Sequence, residues 1–139
     1  MQDLEETMKV DESQREKKKI LVAEDEEAMR ELVIDVLEYA GYSVIAANNG
    51  VEAIEIFKKM KDEIGLVILD MSMPEMDGDE TFRVLKKIGM GVPLFLSSGY
   101  IKEEKKLLDE GVAGFIGKPY RIEDLVEKVR SVLGDNEKS

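Results

Sequence analysis

Leu66-Val67-Ile68-Leu69 is an unbroken apolar run that ends on a carboxylate, Asp70, and similar short apolar runs recur along the chain. A strand buried on one face alternates apolar and polar residues, whereas a run without alternation is covered on both faces, the habit of a parallel sheet. The other runs of this kind are Ile20-Leu21-Val22-Ala23, Ser43-Val44-Ile45-Ala46-Ala47, Pro93-Leu94-Phe95-Leu96-Ser97 and Gly114-Phe115-Ile116-Gly117. Proline at the start of the fourth removes no ladder donor. Each run is followed by a stretch with helical apolar spacing. These cover about 26–40 (Met29, Leu32, Val33, Val36, Leu37, Ala40), about 51–60 (Ala53, Ile54, Phe57, Met60), about 79–88 (Phe82, Val84, Leu85), about 102–110, and about 122–133 (Ile122, Leu125, Val126, Val129, Val132, Leu133). Gly41, Gly89, Gly111 and Gly134 stand just past helix ends, and Asn49 is placed to cap the second helix. Five strands alternating with five helices predict an α/β domain, a parallel sheet with right-handed crossovers and helices on both faces.

That domain is expected to occupy residues 19–134. Residues 1–18 mix both charge signs around only Leu4, Met8 and Val10, too little apolar surface to offset ordering entropy, and read as a charged tail or linker. Leu4 and Met8 have the spacing of a single coiled-coil turn, and residues 135–139 read as a polar C-terminal tail.

Composition removes several kinds of chemistry. Without cysteine there is no thiol redox chemistry and no Cys-based zinc site; without histidine there is no Ser-His-Asp catalysis, no His-ligated metal and no phosphohistidine carrier. No apolar stretch approaches the roughly 20 residues of a membrane helix, so the expectation is a cytoplasmic protein without membrane contact. A net charge of -11 argues against direct binding to nucleic-acid backbone. The same acidity is ordinary solubility, or carboxylates gathered around a divalent cation.

Position favours the second. Four strands end in polar residues: Glu24-Asp25, Asp70, Ser97-Ser98 and Lys118. In a flavodoxin-like, doubly wound sheet of order 2-1-3-4-5, strands 1 and 3 are neighbours and the ligand crevice opens between their carboxyl ends. Three carboxylates then share one crevice, an arrangement that needs a counter-charge. Mg²⁺ accepts carboxylates, a backbone carbonyl and water, and Lys118 adds a fixed positive charge. Metal, ammonium and the Ser98 hydroxyl around one carboxylate suit a transferring phosphoryl group, with Asp70 as nucleophile. Taken singly, each residue has an ordinary role as a cap, turn or surface group. The combination on one edge points to function.

The motifs Ile20-Leu21-Val22-Ala23-Glu24-Asp25-Glu26, Leu69-Asp70-Met71-Ser72-Met73-Pro74 with Met76-Asp77-Gly78, Ser97-Ser98-Gly99-Tyr100 and Lys118-Pro119-Tyr120 resemble those of the response-regulator receiver domains of two-component signalling. The resemblance spans about 19–134. It implies that Asp70 is the phosphoacceptor, that Glu24, Asp25, Asp70 and the Ser72 main-chain carbonyl surround Mg²⁺, and that Lys118 is the family's lysine. It also implies that Ser98 is the switch hydroxyl and Phe115 the switch aromatic. Ser72 and Tyr100 would tune the lifetime of the phosphorylated state. The donor implied is a histidine kinase or histidine phosphotransfer protein, docking on the first helix through Ala28 and Leu32 and on the loop at Pro119 and Tyr120. Phosphorylation would bias a face formed by the fourth helix, fifth strand and fifth helix toward a downstream protein.

The departures are small. Glu24 stands where Asp is commoner, Ser98 lacks a threonine methyl, Gly99 replaces a frequent alanine, and Phe115 has no hydroxyl. An aspartyl-phosphate phosphatase or phosphotransferase remains as an alternative, although that class places a second Asp where this chain has Ser72. A flavin module would need a phosphate-cradling loop where Glu24-Asp25-Glu26-Glu27 stands. A receiver that binds partners without phosphorylation is the remaining alternative. No effector sequence follows residue 134, which implies a stand-alone receiver or one belonging to a longer protein, and Ser98-Gly99-Tyr100 is similar to receivers of hybrid histidine kinases.

Overall fold

The computed structural model describes residues 18–134, so the two expected tails lie, apart from Lys18, outside the described residues, as does the Leu4–Met8 pair. In chain order the elements are β1 (Lys19–Ala23), α1 (Glu27–Tyr39), β2 (Val44–Ala47), α2 (Gly50–Met60), a 3-10 turn (Lys61–Glu63), β3 (Ile64–Asp70), α3 (Gly78–Lys87), β4 (Leu94–Ser98), α4 (Glu104–Glu110), β5 (Gly114–Gly117) and α5 (Ile122–Leu133). The strands form one sheet of order β2-β1-β3-β4-β5, parallel throughout, as the apolar runs predict.

Alternation of side chains explains why β3 has no polar residue before Asp70. Val67 and Leu69 face one way, against Ala53, Ile54 and Phe57 of α2 and Phe82 and Leu85 of α3. Leu66 and Ile68 face the other, against Val33 and Leu37 of α1 and Leu125 and Val129 of α5. Each such fully buried side chain contributes roughly 1.5–3 kcal/mol, so the central strands hold the scaffold rigid beneath their polar ends. Register sets those ends level: Ala23 pairs with Leu69, Asp70 with Ser97, and Ser98 with Gly117.

Several element limits differ from the expected ones, for physical reasons. β3 starts at Ile64 rather than Leu66, because Ile64 pairs with Lys19 across an irregularity in the β1 register. β4 starts at Leu94 and extends through Ser98, which pairs with Gly117. α4 begins at Glu104 rather than Lys102. Ile122, expected inward, is 59% exposed in the first turn of α5, ahead of Leu125, the first fully buried residue of that helix. Asn49 caps α2 as expected, its side chain accepting from the Glu52 N–H at 2.8 Å.

Gly78 fastens the loop between β3 and α3. Its N–H donates to the Met71 carbonyl at 2.8 Å, and a Cβ here would lie 2.5 Å from the Asp70 carbonyl oxygen and 2.9 Å from Met71 Cα. Only glycine permits that approach. Glu80 accepts from the Asp77 N–H at 3.0 Å, holding the start of α3 against the same loop.

Candidate functional site

The sheet edge collects the expected residues. Glu24 follows β1 and is held there by its N–H to the Ala47 carbonyl at 3.1 Å; Asp70 is the last residue of β3; Lys118 follows β5, its N–H on the Ser98 carbonyl at 3.0 Å. Glu24 and Asp70 are buried, and Asp25 is exposed. One carboxylate oxygen from each of the three lies within 4.8 Å of the other two. Lys118 Nζ reaches both buried carboxylates, 3.0 Å from Glu24 Oε1 and 3.0 Å from Asp70 Oδ1.

Electrostatics at this edge are strained in a specific direction. Burial pushes the Glu24 carboxyl above its ordinary value; Lys118 opposes the shift and Asp70 adds to it. Burial lowers the Lys118 ammonium, but Glu24 and Asp70 outweigh it and hold the group above its ordinary value, so it stays charged. Three carboxylates against one ammonium leave the crevice short of positive charge. Glu24 Oε2 accepts from the Glu26 N–H at 3.2 Å, while the buried Oε1 meets Lys118 as an ion pair without a well-aligned hydrogen bond. An under-satisfied buried oxygen beside two further carboxylates is a donor set that fits a hard divalent cation.

The remaining expected residues are distributed around this centre. Ser72 is exposed, with its N–H 3.4 Å from Asp70 Oδ1. Ser98 is half-buried; its hydroxyl donates to the Tyr100 carbonyl at 2.8 Å and accepts from the Tyr100 N–H at 3.1 Å, which closes a tight turn. Tyr100 is 79% exposed. Phe115 is half-buried and, with Tyr100, Ile101, Leu108 and Lys128, lines a cavity of about 590 Å³. Ala28 and Leu32 are exposed on α1, and Pro119 is exposed beyond β5. Tyr120, expected in the docking loop, is half-buried against the core with its hydroxyl 2.7 Å from Ser97 Oγ. Burial is the first cause that pushes that phenol up to about 12.

One supporting residue escapes a reading of spacing alone. Arg30 on α1 reaches back to the Glu24 carbonyl at 2.8 Å and to the Asp25 carbonyl at 3.4 Å, fixing the acidic turn. Ser97, the β4 partner of Asp70, is fully buried, with its hydroxyl 2.7 Å from that of Tyr120.

Residues 20–130 match the response regulator receiver domain family. The chain belongs to this family. Among curated relatives it is similar to the response regulator MprA of Mycobacterium leprae, 34% identical over 117 residues, covering 83% of this chain and 50% of MprA. It is also 34% identical to the sensor kinase CckA of Brucella abortus, over 82% of this chain and 12% of that kinase. The chain therefore spans half the length of MprA and a small part of CckA. Its fold is similar to that of a receiver domain protein from Clostridium thermocellum, with a TM-score of 0.78 and 28% identity over 87% of this chain and 97% of the other. As a receiver domain, it is a signalling module of two-component systems. No helix among the described residues is long and apolar enough to cross a membrane.

Proposed function

We propose that this receiver accepts a phosphoryl group on Asp70 from a phosphohistidine of a histidine kinase or histidine phosphotransfer protein. The observation that carries the reading is one buried carboxylate at a strand end, with an ammonium at 3.0 Å and two more carboxylates beside it. An Asp70 oxygen attacks phosphorus; an O–P bond forms as the N–P bond breaks, and the electron pair leaves with the donor's imidazole nitrogen. Lys118, held charged by its two partners, neutralises charge building on the phosphoryl oxygens. Glu24, Asp25, Asp70 and the Ser72 carbonyl would hold Mg²⁺, which when bound supplies Lewis-acid neutralisation of the same oxygens. Arg30 keeps the Glu24-Asp25 backbone in place during the transfer.

Ser98 then leaves its turn with Tyr100 to bond a phosphoryl oxygen, and Phe115 moves into the released space, which shifts the α4-β5-α5 face between two states. Ser72 and Tyr100 set how readily water reaches the acyl phosphate. The donor docks on Ala28 and Leu32 of α1 and on the loop at Pro119. The receiver unit comprises residues 19–134, works in the cytoplasm, and turns over no external substrate beyond the loss of its own phosphoryl group to water. The test is intact mass after incubation with acetyl phosphate and Mg²⁺. One phosphoryl group should add and then decay once the donor is removed. No addition, or addition unaffected by a chelator, overturns the proposal.

A further inference from the structure

Lys118 does not reach Glu24 and Asp70 unaided. Its ammonium lies 5.8 Å from the centre of the Tyr120 ring, inside the range in which a cation is held over an aromatic face. The ring is itself tethered: the Tyr120 hydroxyl and Ser97 Oγ are 2.7 Å apart, and either can donate. Ser97 is fully buried, lies opposite Asp70 in the β3-β4 register, and accepts the Met71 N–H on its carbonyl at 2.8 Å. The contacts close a circuit. Asp70 and Met71 lie against Ser97, Ser97 holds Tyr120, the Tyr120 ring lies beneath Lys118, and Lys118 returns to Asp70 at 3.0 Å.

We propose that Tyr120 is a positioning residue: its ring, aimed by the hydrogen bond to Ser97, is the floor that fixes Lys118 Nζ between Glu24 and Asp70. This deepens the phosphoacceptor proposal and rests on it. A lysine carries four flexible side-chain torsions, and a flexible cation must be ordered again each time charge develops. A tethered aromatic floor removes much of that reordering in advance. The loop that bears Lys118 is thereby tied to the strand end that bears Ser98, so a shift of either is felt by the other.

The test compares the full chain with Tyr120→Leu, Tyr120→Phe and Ser97→Ala at saturating Mg²⁺, using acetyl phosphate labelling rates at a temperature well below unfolding. Tyr120→Leu removes ring and tether and should label about tenfold more slowly, while Tyr120→Phe and Ser97→Ala keep the ring and should stay within about threefold of the parent. Ser97→Ala combined with Tyr120→Phe should be no slower than either alone, since both remove one hydrogen bond. A packing role alone would leave the folded fraction labelling at the parent rate. The second readout needs no phosphoryl chemistry: in the parent protein the Lys118 Hε protons should be shifted upfield by the ring current, and Tyr120→Leu should abolish that shift.

The proposal is overturned if Tyr120→Leu labels at the parent rate, if Tyr120→Phe is as slow as Tyr120→Leu, or if the parent Lys118 protons carry no ring-current shift. Loss of labelling in the parent itself would instead overturn the phosphoacceptor proposal, leaving the ring-current result to decide on Tyr120. Should Tyr120→Leu fail to fold, the ring-current shift in the parent spectrum still decides.

Discussion

Replacing Lys118 with methionine removes one ammonium and leaves nearly the same volume, so it isolates the charge. Two contacts are lost, each at 3.0 Å, one of them to Glu24, whose side chain is only 2% exposed. At an effective dielectric constant of about 20, each contact is a gross attraction of roughly 5 kcal/mol. Against this stands the recovered cost of burying the lysine, several kcal/mol, and removing one partner of a buried pair costs about 3–5 kcal/mol net. The Lys118 side chain keeps 21% exposure, so solvent screens part of the attraction and the lower end, about 3 kcal/mol, is expected. For a domain of this size that lowers Tm by about 12 °C.

The loss should depend on pH. Glu24 is already above its ordinary value of 4.5 because of burial, and without Lys118 it moves further up. A carboxyl raised in the folded state holds its proton more tightly folded than unfolded. Its ionisation therefore removes stability as pH rises from the unfolded value through the folded one. The part of the Lys118→Met deficit that comes from Glu24 is small near pH 4.5 and complete well above the new folded value. Urea unfolding followed by far-ultraviolet circular dichroism, at about pH 4.5 and about pH 7.5, measures it. A deficit under about 1 kcal/mol at the higher pH, or an equal deficit at both, refutes the reasoning that Lys118 is the counter-charge of buried Glu24.

Gly78→Ala drives a Cβ into the Asp70 carbonyl and should cost about 1–3 kcal/mol in chemical denaturation while slowing acetyl phosphate labelling. Arg83 on α3 pairs with Glu110 at the end of α4 at 2.8 Å, and the guanidinium hydrogen bond holds the Glu110 carboxyl below its ordinary value. Stability from that pair is present above the unfolded carboxyl value and is lost as pH falls through the lowered one. Arg83→Met should therefore be less stable than the parent at neutral pH and indistinguishable from it in acid, with molar salt shrinking the difference in thermal melts. Leu32→Glu places a charge on the exposed stripe of α1 and should slow phosphotransfer from a cognate kinase by tenfold or so while leaving acetyl phosphate labelling intact; equal loss of both assigns Leu32 to packing.

Much of the scaffold is legible because it depends on short-range pattern. Runs such as Ile20–Ala23 and Leu66–Leu69 announce buried parallel strands, and glycines such as Gly111, at φ 119°, mark helix ends that only a left-handed residue closes. The limits of β3 are less visible because Gly65 interrupts the apolar signal ahead of Leu66, and pairing with β1 carries the strand back to Ile64. Ile122 fits the apolar stripe of α5 by spacing, yet spacing says nothing of where the sheet beneath the helix ends. The carboxylates and Lys118 are legible because they follow strands whose ends the topology makes level. The inward turn of Tyr120 is not, because its partner Ser97 is 23 residues away and local sequence carries no trace of that bond. The Arg83–Glu110 pair, 27 residues apart, is hidden for the same reason.

The most direct test of the account locates the phosphoryl group. After labelling with acetyl phosphate and Mg²⁺, borohydride reduces an aspartyl phosphate to homoserine, and peptide mass mapping finds the altered residue. Conversion at Asp70 alone, abolished in Asp70→Asn, is the predicted result. Conversion at Asp25 or elsewhere in the parent, or undiminished labelling of Asp70→Asn, would contradict it.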